Sequence, residues 1–428
     1  MNIEKLYEIY TQYPQVQTDT RKLQTGDIFF ALKGPNFNGN KFARQAIEAG
    51  AAYSVIDEKE FEIPGKTILV DDVMSTLQEL AHYHRRQFQI PFIAVTGSNG
   101  KTTTKELIHA VLNQTFKTST TEGNLNNHIG VPLTLLKIRP GTEMAVVEMG
   151  ANHLGEIAGY CNVADPTHGI ITNCGKAHLE GFGSLEGVKK AKGELYDHLR
   201  QRGDGTAFVM WDYDYLRQMS QGIETVVRYG TGDAEVNGKV VSVNPFLTVA
   251  LDDNLVIKTQ LVGAYNLPNV LATVAVGQTM GVSLEKIIHA IENYTPSNSR
   301  SQLMKEGTNT IVLDAYNANP TSMKVAIENF TAMPGQKKIL VLGAMAEMGA
   351  ETEVEHQTLI NLIDKYNWDG VYLVGAAFSP FHDKYRTFGN AEEAATALAA
   401  QAFDHTLFLV KGSRSSQMEK VLPAIRHT

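Results

Sequence analysis

The string Thr96-Gly97-Ser98-Asn99-Gly100-Lys101-Thr102-Thr103 carries the clearest chemistry in this 428-residue chain. It follows Pro91-Phe92-Ile93-Ala94-Val95, a compact buried-strand signal, and precedes a stretch whose Leu107, Ile108, Val111 and Leu112 share one helical face. Glycines between a strand and a helix let backbone N–H groups turn inward around phosphate oxygens. The helix N-terminus adds the positive end of its dipole. Lys101 supplies a cation for the β- and γ-phosphates, and Thr102 a hydroxyl for Mg²⁺. The spacing Gly-x-x-Gly-Lys-Thr is shorter than the common Gly-x-x-x-x-Gly-Lys-Ser/Thr, so a strand-to-helix turn with an incidental lysine is the competing reading. The flanking strand and helix favour an ATP site made by Gly97, Ser98, Asn99, Gly100, Lys101, Thr102 and Thr103.

A phosphate loop needs a second metal-binding group from elsewhere in its sheet. Glu148 follows the strand signal Ala145-Val146-Val147, and His178 follows Gly169–Thr172. Both therefore stand at the C-terminal ends of strands, where open α/β sheets gather their ligands. Alone, His178 reads as a hydrogen-bonded structural histidine and Glu148 as a capping or surface group; their shared position raises both. Lys192, in Lys189-Lys190-Ala191-Lys192-Gly193-Glu194, reads from its spacing as part of a solvated basic helix face.

The elements that must position these groups fall into three segments. Residues 1–89 open with short apolar runs between turns, including Gly26–Leu32, and a helical stretch ending at Gly50; they read as a small α/β domain. Residues 90–295 alternate strand and helix signals, which predicts a parallel sheet covered on both faces. Within them, Val240–Val243, Leu247–Leu251 and Leu255–Leu261 predict a small antiparallel patch. After a linker at Tyr294–Ser299, residues 296–428 repeat β then α and predict a doubly wound domain. With 43% apolar and 20% charged residues the chain is an ordinary globular one, and its net charge of -8 argues against nucleic acid as a partner. No apolar run reaches the roughly 18 residues of a membrane span, and the start lacks a basic then apolar leader. Cys161 and Cys174 form neither a metal spacing nor a disulfide framework, so they read as buried apolar residues of a cytoplasmic protein.

The motifs together resemble the Mur ligase family along essentially the whole chain. The resemblance rests on the short loop Thr96–Thr103, on Thr121–Thr134, on Glu148–Glu156 and on Ala177–Gly183. It extends to Asp314-Ala315-Tyr316-Asn317-Ala318-Asn319-Pro320, to Lys411-Gly412-Ser413-Arg414 and, at the front, to Asp19-Thr20-Arg21 and Gly26–Gly34. It implies a UDP-binding N-terminal domain, a central P-loop ATPase-type domain and a Rossmann-like C-terminal one. It further implies an ATP-dependent amide ligase of peptidoglycan synthesis that adds D-alanyl-D-alanine to UDP-N-acetylmuramoyl-tripeptide through an acyl phosphate, working as a monomer with a pair of Mg²⁺ ions.

By the same resemblance Glu148 and His178 help hold Mg²⁺, and Lys192 matches a carbamylated lysine whose carbamate would be a further ligand. Lys101, His178 and Lys192 are the implied catalytic set. Asn266, Asn269, Arg300 and Asp314 match nucleotide contacts. Thr20, Arg21, Asn124, Asn126, Asn127, Asn317, Asn319, Lys411, Ser413 and Arg414 match substrate contacts. Three positions depart from the family pattern: Ala344 for an aspartate, Asn40 for a histidine and Tyr265 for a histidine. A sister ligase adding one amino acid and a folylpolyglutamate synthase share the loop, but Asn124–Asn127 and Tyr316–Pro320 disfavour them. A nucleotide-driven switch would leave the first segment without a purpose.

Overall fold

The computed structural model describes residues 2–251, 255–297, 299–335 and 337–426. Asn298, inside the expected linker, lies outside them. The chain is α/β throughout and builds three main sheets. The first has the order Val16–Gln17, Ile28–Phe30, Tyr53–Ile56, Thr67–Leu69, with every pairing parallel. The helix Ala43–Glu48 ends where expected, with Gly50 at φ 105°.

Among the described residues the central sheet has nine strands. Its parallel part runs Thr225–Gly230, Thr206–Met210, His168–Ile171, Phe92–Thr96, Met144–Glu148, Thr118–Thr120. Val236–Ser242, Thr248–Leu251 and Val256–Lys258 extend it as an antiparallel patch. The six-stranded C-terminal sheet is parallel except for Gln302–Glu306, which pairs antiparallel with Asn309–Asp314. The remaining order is Thr406–Lys411, Lys337–Gly343, Gly370–Val374, Arg386–Phe388.

Strand alternation explains why the last sheet needs helices on both sides. Val312, Leu340, Leu342, Leu407 and Leu409 face one buried cluster, while Ile311, Ile339, Val341, Phe408 and Val410 face another. Each fully buried side chain of this kind contributes about 1.5–3 kcal/mol, so a sheet bare on either face could not stand. Strand Thr118–Thr120 and the edge strand Arg386–Phe388, which carry no apolar run, are additions to the sequence reading. Cys161 and Cys174 are buried free thiols. Among the described residues no helix is long and apolar enough to cross a membrane.

The first two sheets share one continuous buried cluster, running from Leu6 to Ile291. Helix Val73–Arg85 carries His84 into it. The Tyr7 hydroxyl donates to His84 Nδ1 at 3.1 Å and Nε2–H donates to the Ile138 carbonyl at 3.0 Å, which describes a neutral ring. Burial pushes its pKa down to about 4 from 6.5. The unfolded chain therefore binds the extra proton more readily between those values. Stability from this group is complete above pH 6.5 and is lost as pH falls toward 4. His84→Gln is expected to flatten the fall of Tm over that window in a pH series of melting curves; an unchanged slope would refute the role.

Candidate active site

The loop expected to hold phosphate leaves strand Phe92–Thr96 and enters helix Lys101–Leu112. Gly97 lies at φ 139° and Gly100 at φ 80°. A Cβ on Gly97 would sit 2.0 Å from the Thr172 hydroxyl, and one on Gly100 would sit 2.7 Å from Asn269 Oδ1. Only glycine fits either position. The segment after strand His168–Ile171 braces the loop. Ser98 N–H donates to the Asn173 carbonyl at 2.9 Å, the Ser98 hydroxyl donates to the Gly175 carbonyl at 3.0 Å, and the Thr172 hydroxyl donates to the Asn99 carbonyl at 2.6 Å. Lys101 Nζ donates to the Gly97 carbonyl at 2.8 Å.

Register places the second carboxylate beside this loop. Glu148 pairs with Val95 across the ladder, at the end of the adjacent strand, and is buried. Thr102 and Asn126 donate to its Oε1 at 3.1 and 2.7 Å. Its other oxygen, Oε2, is buried with no hydrogen-bond partner. A buried carboxylate oxygen left bare costs free energy unless something cationic meets it, so Thr102 and Glu148 fit a divalent cation next to the phosphate loop. Among the described residues no three His, Cys, Asp or Glu converge on one point, so the protein alone supplies few ligands and phosphate oxygens would supply others.

Lys192 departs from what its spacing alone predicts. It is 1% exposed rather than solvated, with Nζ donating to the Ala151 carbonyl at 3.2 Å and lying 5.1 Å over the Phe182 ring. The signal was present: Val188, Lys192, Leu195 and Leu199 form the inward stripe of helix Leu185–Arg202. Burial first, and then the Lys101 charge, push its pKa down to about 7. Lys101 is also pushed down by burial, against the pull of Glu148.

The C-terminal sheet closes over these groups, enclosing a cleft of about 1270 Å³. Asp314 and Lys411 end neighbouring strands in register, and the Lys411 ammonium reaches Asp314 Oδ2 at 2.5 Å and the Asn317 carbonyl at 3.2 Å. Arg300 lies flat on Tyr316, 3.6 Å from its ring centre. Asn319 caps helix Pro320–Ala332 with its Oδ1 and donates its amide to Asn99 Oδ1 of the loop at 2.8 Å. Asn266 and Asn269 are hydrogen-bonded to each other beside Gly100, and Thr104 donates to Asn269 at 3.1 Å.

Thr103, Asn124, Asn127, His178 and Arg414 also line the cleft. Ser413 does not: it is buried and donates to the Ala344 carbonyl at 2.6 Å. Thr20 and Arg21 stand apart in a turn of the first domain, where Arg21 grips Asp19 with two hydrogen bonds of 2.9 and 2.8 Å. The three departures are all accommodated. Asn40 donates to Asp57 at 2.8 Å, Tyr265 meets the Ser301 hydroxyl at 2.9 Å, and the Ala344 carbonyl anchors Ser413. Tyr213 and Tyr215, stacked at 5.6 Å on the cleft wall, and Glu347 were not singled out from the sequence.

Residues 12–95 match the Mur ligase family catalytic domain, 95–277 the Mur ligase middle domain and 299–414 the Mur ligase glutamate ligase domain. UDP-N-acetylmuramoyl-tripeptide--D-alanyl-D-alanine ligase of Escherichia coli (strain K12) is 37% identical, over 96% of this chain and 93% of that protein. The chain belongs to the Mur ligase family. Among solved Mur ligases, the MurF of Acinetobacter baumannii superposes with a TM-score of 0.87 at 31% identity, over 97% of this chain and 93% of that one. MurF ligase from Thermotoga maritima, solved in complex with ADP, superposes with a TM-score of 0.85 at 27% identity, over 96% of this chain and 97% of that one. The three-domain α/β architecture is thus that of the family.

Proposed function

We propose that this Mur ligase joins the amine of D-alanyl-D-alanine to the terminal carboxylate of UDP-N-acetylmuramoyl-tripeptide, with ATP converted to ADP and phosphate, as a cytoplasmic monomer. The observation that carries the substrate assignment is the 37% identity, along nearly the whole of both chains, to a ligase of that name. In this reading residues 1–89 receive the UDP moiety through Thr20 and Arg21, 90–295 receive ATP, and 296–428 complete the site from above.

A carboxylate resists attack because it is already an anion. Transfer of the γ-phosphoryl group to it creates an acyl phosphate and releases ADP. The amine then attacks the acyl carbon, and phosphate leaves as the tetrahedral centre collapses. Charge accumulates on phosphoryl oxygens, so the residues at work are cations and N–H groups rather than a nucleophile. Lys101 and the backbone of residues 97–102 face the β- and γ-phosphates. Arg300, held flat by Tyr316, and the Asp314–Lys411 pair approach the nucleotide from the C-terminal domain. Asn124, Asn126, Asn127, Asn317, Asn319, Ser413 and Arg414 are assigned to peptide and dipeptide, Ser413 through the loop it anchors. Docking of that domain keeps water from the acyl phosphate.

Thr102, Glu148 and His178 would hold Mg²⁺, which when bound neutralises phosphate charge. The Lys192 amine, unprotonated in part near pH 7, is the form that adds CO₂; its carbamate would present an anion to a second ion. The test is an omission series with pure protein, ATP, Mg²⁺, the UDP-linked tripeptide and D-alanyl-D-alanine. ADP release and a product heavier by one dipeptide, both requiring the dipeptide, are expected. ADP release indifferent to it, or product formed only with a single amino acid, would overturn the assignment.

A further inference from the structure

His178 stands just ahead of the one-turn helix Leu179–Phe182 with φ 52°, and its ring lines the cleft. Its Nδ1 meets the carboxylate of Glu347, which comes from the C-terminal domain and approaches off the line of the ring N–H. Glu347 is itself held at φ 61°, a conformation that a non-glycine residue keeps only when its surroundings impose it. The surroundings are visible. Glu180 N–H donates to the Glu347 carbonyl at 3.2 Å, and a Cβ on Gly349 would lie 3.3 Å from Glu180 Cα. Segment 347–349 is therefore pinned against 178–180 across the domain boundary.

Other contacts across that boundary have a different character. Lys176 Nζ pairs with Glu355 at 2.6 Å, Lys176 N–H donates to Thr321 Oγ1 at 3.1 Å, and Asn319 reaches Asn99. These contacts fasten the domains without touching a side chain assigned to the metal. Glu347 does touch one. A histidine that binds a metal through one nitrogen is oriented by whatever its other nitrogen donates to, and loss of that partner typically weakens the metal about 10- to 100-fold.

We infer that Glu347 is a positioning residue that couples domain closure to metal binding. Its carboxylate, set against Nδ1 of His178, favours the proton on that nitrogen by charge and so selects the tautomer that leaves the Nε2 lone pair free. It does so only while the C-terminal domain is docked. The inference rests on the assignment of His178 to the metal. Linkage then requires the converse: a cation at His178 favours the docked arrangement by the same factor by which docking favours the cation. The metal site is completed only once the acyl phosphate would be sheltered from water.

The experiment uses the full chain saturated with β,γ-imido-ATP. Free Mn²⁺ is measured by electron paramagnetic resonance, and docking by energy transfer between dyes on exposed cysteines introduced into the two domains; Cys161 and Cys174 are buried and do not compete. In the unaltered protein Mn²⁺ is expected to raise the docked fraction. Glu347→Ala should weaken Mn²⁺ about tenfold and abolish that rise, with Glu347→Gln, which keeps a neutral acceptor, in between. Glu355→Ala should loosen docking yet keep the Mn²⁺-driven rise. If Glu347→Ala behaves as Glu355→Ala does, Glu347 is a docking contact and the coupling is overturned. If His178→Ala weakens Mn²⁺ while Glu347→Ala does not, the coupling falls and the metal assignment stands. If His178→Ala leaves Mn²⁺ binding unchanged, both fall.

Discussion

Lys101→Ala is expected to cut ligase turnover by roughly 10³-fold or more while Tm stays within a few degrees of the unaltered protein. The lysine is the loop's own cation, and in the proposed reaction it faces the phosphoryl group being moved. Its loss removes stabilisation that no neighbour replaces: Arg300 is occupied on Tyr316 and Lys411 on Asp314. The fold should not suffer, because the bonds of Ser98 and Thr172 to the neighbouring strand's loop do not involve Lys101. Removal of the half-buried ammonium also relieves a desolvation cost, visible as its lowered pKa. Turnover is followed by ADP release and product mass, the fold by melting curves. Near-normal turnover in a well-folded variant would refute the assignment of the loop.

Lys192→Met is expected to do two opposite things: lower turnover by roughly 100-fold and raise Tm at pH 7 in CO₂-free buffer. A methionine fills similar space without a charge to bury. The sign follows from the pKa of about 7 against the ordinary 10.5. Between those values the unfolded chain binds a proton that the folded one releases, so this lysine opposes folding at pH 7 and the penalty vanishes as pH rises toward 10.5. The gain in Tm should therefore be large at pH 7 and shrink by pH 10. A variant less stable than the parent at pH 7 would show that the ammonium is compensated in the folded protein.

The contrast between these two lysines shows what a sequence discloses. Lys101 was legible because its meaning is local: glycines, a strand before and a helix after define the loop within eight residues. Glu148 was legible as a strand-end residue, since a buried apolar run marks where its strand stops, whereas His178 lies beyond the end of strand His168–Ile171, just ahead of helix Leu179–Phe182. Spacing alone misplaces Lys192 because three lysines in four positions suggest solvent, although the 3–4 spacing of Val188, Leu195 and Leu199 already turns that position inward. Glu347 had no signal of its own. Its meaning comes from docking against a segment more than 160 residues earlier, and pairings of that range are not written in local spacing. The short strand Thr118–Thr120 escaped for a related reason: half-buried threonines carry little hydrophobic pattern, and their place beside Met144–Glu148 is set by the sheet.

The bracing of the phosphate loop by residues 172–175 has a consequence for nucleotide discrimination. A loop braced in one shape charges little ordering entropy to the ligand, so nucleotide is expected to enter quickly. In the proposed reading Lys101 already separates the triphosphate from the diphosphate inside the cradle, through the γ-phosphate it faces. Asn319 of the C-terminal domain reaches the loop at Asn99, so in the proposed reading the docking of that domain gives a second point at which product is told from substrate.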